Sequence, residues 1–197
     1  VFRYCLSSSN GGALYCGSSI SKLLVEQSSF IHCRTSNNFG GAIFTSGQCV
    51  LSRICGFDCS STYSDGYSNG QFARIYTTND INYKNHINDS SITLSSKEST
   101  NPQYALYLYF GNILCPSVNL TNNECCNCPA LFCVPTGSST SDTCCISYSS
   151  IVNNTANGGY GCIYLYRPDS SQRIDTCNII SNKQTCIIYG TIYTNAN

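Results

Sequence analysis

The chain has 197 residues, of which 42% are hydrophobic and 10% are charged. Ten Lys and Arg residues balance ten Asp and Glu residues, so the net charge is zero. This balance excludes a nucleic-acid binder, which needs a basic surface to neutralise phosphates. The apolar, weakly charged composition excludes a disordered chain. Because no run of 18 apolar residues occurs, we expect no membrane insertion within this segment.

Sixteen cysteines and three glycosylation sequons predict a secreted or cell-surface location. The sequons begin at Asn88, Asn119 and Asn153, and we expect N-linked glycans there. The chain starts at Val1 without an initiator Met or a signal peptide. We therefore expect a processed chain, or a piece of a longer one.

A repeat of about 29 residues runs along the chain. The segment Gly11–Cys16 recurs as Gly40–Thr45, and its small third residue recurs less clearly afterwards. That small residue is found at Ala13, Ala42, Ala73, Ala105, Ala130, Cys162 and Cys186. A second landmark is a large apolar residue followed three positions later by Asn or Cys. It is found at Phe2–Cys5, Phe30–Cys33, Leu120–Asn123, Ile151–Asn154 and Ile179–Asn182.

The repeat unit has the composition of short strands joined by turns. Apolar runs of three to six residues are separated by clusters of Gly, Asn and Ser, and no long helical periodicity is present. Strand-turn units of this length stack as a solenoid. We predict an all-β, right-handed parallel β-helix of about seven coils, forming a single domain over residues 1–197. Paired glycines would form tight corners, and stacked asparagines would form amide ladders.

The intact motifs Gly11-Gly12-Ala13-Leu14 and Gly40-Gly41-Ala42-Ile43 resemble a repeat of the chlamydial polymorphic outer-membrane proteins. The Phe-x-x-Asn motif of that family is matched by Phe2–Cys5 and Phe30–Cys33, with Cys in place of Asn. Similar cysteine-rich repeats are found in surface proteins of parasitic protists. The resemblance is good over residues 1–60, and it implies a β-helical surface adhesin or structural protein without transferable catalytic residues.

Stacked cysteines can bridge neighbouring coils, because equivalent Cα atoms are about 4.8 Å apart and disulfides span about 4.4–6.8 Å. Repeat spacing predicts the pairs Cys5–Cys33, Cys145–Cys177 and Cys162–Cys186, and a local bridge Cys55–Cys59. Unpaired inward cysteines would instead serve as small core residues.

One cysteine cluster raises the question of a metal site. It comprises Cys125-Cys126-Asn127-Cys128 and Cys133. Its vicinal and Cys-x-Cys spacings differ from those of zinc sites, so a disulfide-stapled loop is the favoured hypothesis. We expect no metal and no cofactor.

Few residues are suited to catalysis. The chain has two histidines, His32 and His86, and no nucleophile-elbow or zinc-protease motif. Asp58 and Asp89 each lie 16 residues after a repeat alanine, so they could form a carboxylate pair on successive coils.

Aromatic ladders could bind sugars or proteins, or pack between coils. Their members would be Tyr104, Tyr107, Tyr109, Tyr160, Tyr164 and Tyr166.

We predict an extracellular structural or adhesive solenoid without catalytic activity. Its partners would be further copies stacked end to end, other surface proteins or glycans. The alternative is a polysaccharide-active enzyme or glycan-binding module that uses Asp58 and Asp89. A small disulfide-rich signalling domain is disfavoured by the length and the repeat.

Overall fold

The structure is a computed structural model that describes residues 1–17, 22–36, 38–62, 69–95, 103–125, 130–156, 161–166, 170–184 and 192–195. These ranges contain strands and no helix. The strands are β1 (Phe2–Arg3), β2 (Leu6–Ser7), β3 (Leu14–Cys16), β4 (Lys22–Glu26), β5 (Ser29–Ile31), β6 (Arg34–Thr35), β7 (Ile43–Ser46), β8 (Gln48–Ser52), β9 (Cys55–Phe57), β10 (Ser60–Ser61), β11 (Asn69–Tyr76), β12 (Lys84–Asn88), β13 (Ser90–Thr93), β14 (Gln103–Tyr109), β15 (Asn112–Pro116), β16 (Val118–Thr121), β17 (Glu124–Cys125), β18 (Leu131–Val134), β19 (Ser138–Ser147), β20 (Ser150–Val152), β21 (Thr155–Ala156), β22 (Ile163–Tyr166), β23 (Ser170–Asp175), β24 (Asn178–Ile180), β25 (Lys183–Gln184) and β26 (Ile192–Asn195).

The strands form parallel sheets that run along the axis of a solenoid. Sheet 1 has the order β1-β5-β9-β13-β16-β20-β24, and sheet 3 has the order β3-β7-β11-β14-β18-β22-β26. Sheet 4 is β4-β8-β12-β15-β19-β23, while sheet 2 (β2-β6-β10) and sheet 5 (β17-β21-β25) are short. Each strand pairs with the equivalent strand of the next turn of chain. The predicted all-β parallel β-helix is therefore confirmed.

The core lies inside the solenoid, where alternate residues of each strand point inward. In sheet 3 one inward column is Leu14, Ile43, Ala73, Leu106, Leu131 and Ile163. All of these except Leu14 are buried. Stacking like residues in register removes apolar surface from water at every rung, which is the main stabilising contribution in such a fold.

The paired glycines form corners that only glycine fits. Gly11 and Gly40 have φ angles of 65° and 69°, in the left-handed region. A Cβ on Gly12 would lie 2.1 Å from the carbonyl oxygen of Gly41, and a Cβ on Gly41 would lie 2.1 Å from that of Gln71. The first glycine thus makes the turn, and the second lets successive backbones approach closely.

The small-residue landmark is out of phase by one residue at Ala73. Ala73 pairs with Ile43, and the amide of Ala42 donates to the carbonyl of Phe72, so Phe72 is level with Ala42. A register irregularity lies between Gly70 and Ala73. The Phe72 ring occupies the space above Gly56, where a Cβ would lie 2.5 Å from it.

Two further corners of the solenoid use left-handed residues that are not glycine. The first corner follows sheet 1 and consists of Tyr4, His32, Asp58, Leu94, Asn122, Asn153 and Ser181. The second precedes sheet 1 and consists of Gln27, Arg53, Asp89, Ser117, Tyr148 and Thr176. Their φ angles lie between 47° and 56°, which is uncommon for residues with a Cβ. Their recurrence at one place in each turn means that the corner geometry requires this conformation.

Candidate functional site

One inward column begins directly after the first left-handed corner. We call it the ladder column, and its members are Cys5, Cys33, Cys59, Ser95, Asn123, Asn154 and Asn182. Their equivalence follows from the register of sheet 1, in which Phe2, Phe30, Gly56, Ile92, Leu120, Ile151 and Ile179 pair in sequence. Each ladder residue lies three positions after one of these.

The asparagine half of the column forms the expected amide ladder. The backbone amide and Nδ2 of Asn123 both donate to Oδ1 of Asn154, at 3.0 Å each. Asn154 makes the same two bonds to Asn182, at 2.9 and 3.0 Å. The Nδ2 groups of Asn123, Asn154 and Asn182 also donate to carbonyls of the preceding turn. The prediction of stacked asparagines is confirmed.

The cysteine half of the column repeats this bonding with thiols. Sγ of Cys33 lies 3.7 Å from the carbonyl oxygen of Phe2, and Sγ of Cys59 lies 3.4 Å from that of Phe30. These carbonyls are equivalent to the ones that the asparagine Nδ2 groups use. Cys33 and Cys59 are fully buried, whereas Cys5 is half-buried.

The three thiols interact in series, and the middle one differs from its neighbours. A hydrogen bond from the Cys59 thiol lowers the pKa of Cys33 to about 6. Its role as donor to Cys33, together with burial, raises the pKa of Cys59. Burial, followed by the charge of Cys33, raises the pKa of Cys5. Among these three thiols, Cys33 therefore loses its proton most readily.

The first corner places a polar cluster on the outside, beside the cysteine half. His32 Nδ1 lies 2.7 Å from Asp58 Oδ2, and the Arg34 guanidinium lies 3.6 Å from the same oxygen. The Tyr4 ring stacks on His32 with centroids 5.0 Å apart and planes 6° apart. Tyr4, His32 and Asp58 come together because they occupy the same corner in successive turns.

An open pocket of about 320 Å³ lies beside this cluster. It is lined by Tyr4, Cys5, Leu6, His32 and Arg34. Tyr4 is 70% exposed and Leu6 is 75% exposed, so the pocket offers an aromatic face and an apolar edge next to charged groups. We call these residues together with Asp58 the corner pocket.

The outward face of sheet 3 carries an aromatic column. Its described members are Tyr15, Phe44, Arg74, Tyr107, Phe132 and Tyr164, with the Arg74 guanidinium 3.7 Å from the centroid of the neighbouring Phe39 ring. Tyr107 and Phe132 stack at 4.9 Å. Tyr104, Tyr107 and Tyr164 are buried, so these tyrosines pack rather than form an exposed ladder. Tyr160 lies outside the described residues.

The proposed carboxylate pair does not form. The amide of Asp58 donates to Thr93, which places Asp58 level with Leu94 at the first corner. The amide of Arg53 donates to Asn88, which places Asp89 level with Arg53 at the second corner. The equal spacing after Ala42 and Ala73 is misleading because the chain lengths differ: Asp58 is 16 residues after Ala42, whereas its equivalent Leu94 is 22 residues after Phe72, the equivalent of Ala42.

The predicted cysteine pairs have different outcomes. Their described members are all free thiols in the structure, and these are Cys5, Cys33, Cys55, Cys59, Cys145, Cys162 and Cys177. Cys5 and Cys33 stack as expected. The local pair is wrong, because Cys55 is exposed on the outside of sheet 1 whereas Cys59 points into the core.

The Cys145–Cys177 pair fails in register. Cys145 pairs with Arg173, and the amide of Asn178 donates to Ser149, so Cys177 is level with Ser149 rather than with Cys145. The predicted pair Cys162–Cys186 stays a prediction. Cys186 lies outside the described residues.

The three sequons occupy different surroundings. Asn119 and Asn153 are exposed, the first on the outside of sheet 1 and the second at the first corner. Asn88 is half-buried and its Nδ2 donates to Ser52, while Ser90 of the same sequon is buried and bonded to the amide of Ile54.

Sequence inspection missed Cys59 as a member of the ladder column, and with it the corner pocket. The segment Gly56-Phe57-Asp58-Cys59 has the landmark spacing, but glycine replaces the large apolar residue. Aligning the residue before each cysteine would have brought Tyr4, His32 and Asp58 into one column.

Comparison of the chain with protein-family models, curated proteins and solved structures gives no match. Among the described residues, no three His, Cys, Asp or Glu side chains are grouped to hold a metal ion. Cys125 and Cys133 are buried, and residues 126–128 of the cysteine cluster lie outside the described ranges. The described part of the chain has no helix of the length and hydropathy that spanning a bilayer requires.

Proposed function

We propose that this chain is an extracellular structural or adhesive solenoid without catalytic activity, and that it binds a sugar ring in the corner pocket. The observation that carries this proposal is the exposed Tyr4 ring stacked over His32, next to the Asp58 and Arg34 charges. An exposed aromatic face packs against the apolar face of a sugar, and planar charged groups beside it bond the hydroxyls.

The rigidity of the solenoid supports an adhesive role. Sheets 1 and 3 contain seven strands each, which supports our inference of about seven coils. The corner pocket is held by backbone corners rather than by a long loop, so its side chains are preorganised for binding.

The surface chemistry supports an extracellular location and the proposed partners. Asn119 and Asn153 are exposed sequon residues, and we infer that they carry N-linked glycans. The edge strands of the described solenoid favour end-to-end pairing between copies. The likeness of the Gly-Gly-Ala motifs to polymorphic outer-membrane proteins fits a surface protein, and remains a hypothesis.

Of the alternative function, a polysaccharide-active enzyme or a glycan-binding module, we retain only glycan binding. Asp58 and Asp89 lie at different corners, so the pair expected for glycosidic acid and base catalysis is lost. Asp58 is instead bonded to His32 and near Arg34, an arrangement that suits an acceptor for sugar hydroxyls.

A glycan array with the wild-type chain and two tyrosine variants tests the proposal. Tyr4→Ala removes the stacking face, and we expect at least a tenfold loss of binding to any glycan that the wild type retains. Tyr148→Ala is the matched control, because Tyr148 is also a left-handed corner residue and is 67% exposed. We expect it to bind like the wild type.

Two outcomes contradict the proposed site. The first is wild-type binding to no glycan, and the second is equal loss in both variants. Release of reducing sugar from a bound glycan would contradict the non-catalytic role.

A further inference from the structure

The ladder column contains three consecutive cysteines, Cys5, Cys33 and Cys59. Because three cysteines cannot all pair, the middle thiol has two possible disulfide partners. Cys33 interacts through its thiol with Cys5 on one side and with Cys59 on the other. Equivalent Cα atoms on adjacent rungs are about 4.8 Å apart, inside the range that a disulfide spans. Cys5 and Cys59 are two rungs apart, about 9.6 Å, which is too far for a bond.

We propose that Cys5, Cys33 and Cys59 form a thiol relay, in which a single disulfide exchanges between Cys5–Cys33 and Cys33–Cys59. A small external disulfide, such as glutathione disulfide, would oxidise the relay. It is a modification site that needs no bound sugar, and its entry residue, Cys5, also lines the corner pocket.

Access to the relay is through Cys5. Cys5 is half-buried and lines the corner pocket, whereas Cys33 and Cys59 are fully buried. An external disulfide can therefore reach Cys5 directly, but it can reach the other two thiols only through local opening.

The chemistry balances in three exchange steps. The Cys5 thiolate attacks one sulfur of the small disulfide, which releases one small thiol and leaves a mixed disulfide on Cys5. The Cys33 thiolate then attacks the Cys5 sulfur and releases the second small thiol. Finally Cys59 attacks the Cys33 sulfur and releases Cys5, with the Cys59 proton passing to the departing Cys5 sulfur, so the bond moves one rung without net oxidation.

The strand spacing favours exchange over a permanent bridge. Stacked Cβ atoms are separated by about the strand spacing of 4.8 Å, whereas a relaxed disulfide prefers about 3.5–4.5 Å. Strained disulfides are the labile ones. In addition, the lowered pKa of Cys33 favours the reactive thiolate form of the central sulfur.

Serine variants of the full chain test the relay, and serine is compatible with the column because Ser95 occupies it naturally. The reduced protein is incubated with glutathione disulfide, quenched by alkylation, and mapped by mass spectrometry. Cleavage after Lys22, Arg34 and Phe57 separates the three cysteines from one another and Cys55 from Cys59.

We expect both links in the wild type, only Cys5–Cys33 in Cys59→Ser, and neither link in Cys33→Ser. Cys5→Ser should form Cys33–Cys59 at least tenfold more slowly than the wild type. Cys55→Ser is the matched control, since Cys55 is exposed outside the column, and it should react at the wild-type rate.

The relay is overturned if the wild type yields only one of the two links or none. It is also overturned if Cys33→Ser forms a Cys5–Cys59 bond, or if Cys5→Ser reacts as fast as the wild type. Circular dichroism of each serine variant establishes that the fold is retained.

Discussion

At the scale of single residues, Asn154 does the most hydrogen bonding in the ladder column. Its Oδ1 accepts two bonds from Asn123, and its Nδ2 donates to the carbonyl of Leu120 and to Asn182. The residue is fully buried, so water cannot replace these partners. The stability of the asparagine half therefore depends on amides that satisfy one another across rungs.

We expect Asn154→Ala to lower the free energy of unfolding by about 2–4 kcal/mol, because it leaves buried donors and an acceptor without partners. Urea unfolding measures the change. Asn178→Ala, at an exposed position on sheet 1, is the control and should stay within about 0.5 kcal/mol of the wild type. Similar losses in both variants would contradict the ladder's stabilising role.

Buried thiols make the stability of the reduced protein depend on pH. Burial raises the pKa of Cys162 from 9.0 to about 12, and it raises the pKa values of Cys115 and Cys133 well above 9.0. A raised folded pKa contributes stability that is fully present below the unfolded pKa, here 9.0, and is lost as the pH rises toward the folded value. We therefore expect Tm to fall between pH 9 and 12.

Cys162→Ala tests this origin of the pH dependence. Alanine suits the site, because the equivalent residue of the preceding turn is Ala130, whose amide donates to the carbonyl of Cys162. The variant should show a shallower fall in Tm above pH 9 than the wild type, both measured in reductant. An unchanged slope would contradict the assignment to this thiol.

Residue identity predicted the ladder column only where the whole landmark was present. The full landmark with asparagine is present in three segments, which the sequence alone marks as equivalent: Leu120–Asn123, Ile151–Asn154 and Ile179–Asn182. Cys59 is not marked in this way, because Gly56 replaces the large apolar residue and Phe72 from another strand fills its space. A local sequence motif does not show that a side chain from another strand replaces the missing apolar residue.

At the scale of elements, the corner formed by Gly40 and Gly41 determines how closely successive turns stack. A methyl group on Gly41 would meet backbone atoms of Gln71 and Ser60, at 2.1 and 2.5 Å, rather than a flexible side chain. Neither neighbour can move without breaking the pairing of its own strand.

We expect Gly41→Ala to destabilise the protein by about 3 kcal/mol or more, at the upper end of the usual cost of overpacking. Thermal unfolding measures the effect, with Ala13→Gly as the control for a change next to the equivalent corner. That control should cost about 0.5–1 kcal/mol. Wild-type stability of Gly41→Ala would show that the close approach is not required.

The intervals between turns explain why strand type was predictable and residue stacking only partly so. Successive residues of the inward column in sheet 1 are 28, 26, 36, 28, 31 and 28 positions apart. Strand pairing restricts strand residues, but it leaves the length of the intervening corners free. Because 36 residues separate Gly56 from Ile92, Asp89 lies at a different corner from Asp58. No local sequence pattern indicates this extra length.

At the scale of the whole molecule, two hydrophobic clusters lie on opposite sides of sheet 3. The interior core runs through the described turns, while the second cluster comprises Tyr104, Tyr107, Phe132, Val134 and Tyr164 on the outward face. The same outward column is exposed at Tyr15, which has 57% of its surface accessible. The outside of sheet 3 is therefore covered over one part of its length and open over another.

Phe132 and Tyr15 occupy equivalent positions in the aromatic column. Substituting each of them therefore compares the buried part of this face with its exposed part. We expect Phe132→Ala to cost about 3–5 kcal/mol, because the ring is buried and stacked on Tyr107. Tyr15→Ala should cost less than about 1 kcal/mol, because most of the ring already contacts water. Chemical denaturation measures both, and equal costs would contradict the second cluster.

The amide ladder gives the solenoid a direction. Each of Asn154 and Asn182 accepts a hydrogen bond at Oδ1 from the backbone amide of the turn before it, and donates from Nδ2 to a carbonyl of that same turn. The two ends of the ladder are therefore chemically different. Turns are consequently not interchangeable units. If a turn with cysteine in the ladder column followed the turn of Asn123, no side-chain oxygen would accept the backbone amide of Asn123. A turn with serine or asparagine in the ladder column would supply that oxygen. Recombination or engineered extension of this chain is therefore constrained by the order of its ladder residues, even though the described turns pair through the same sheets.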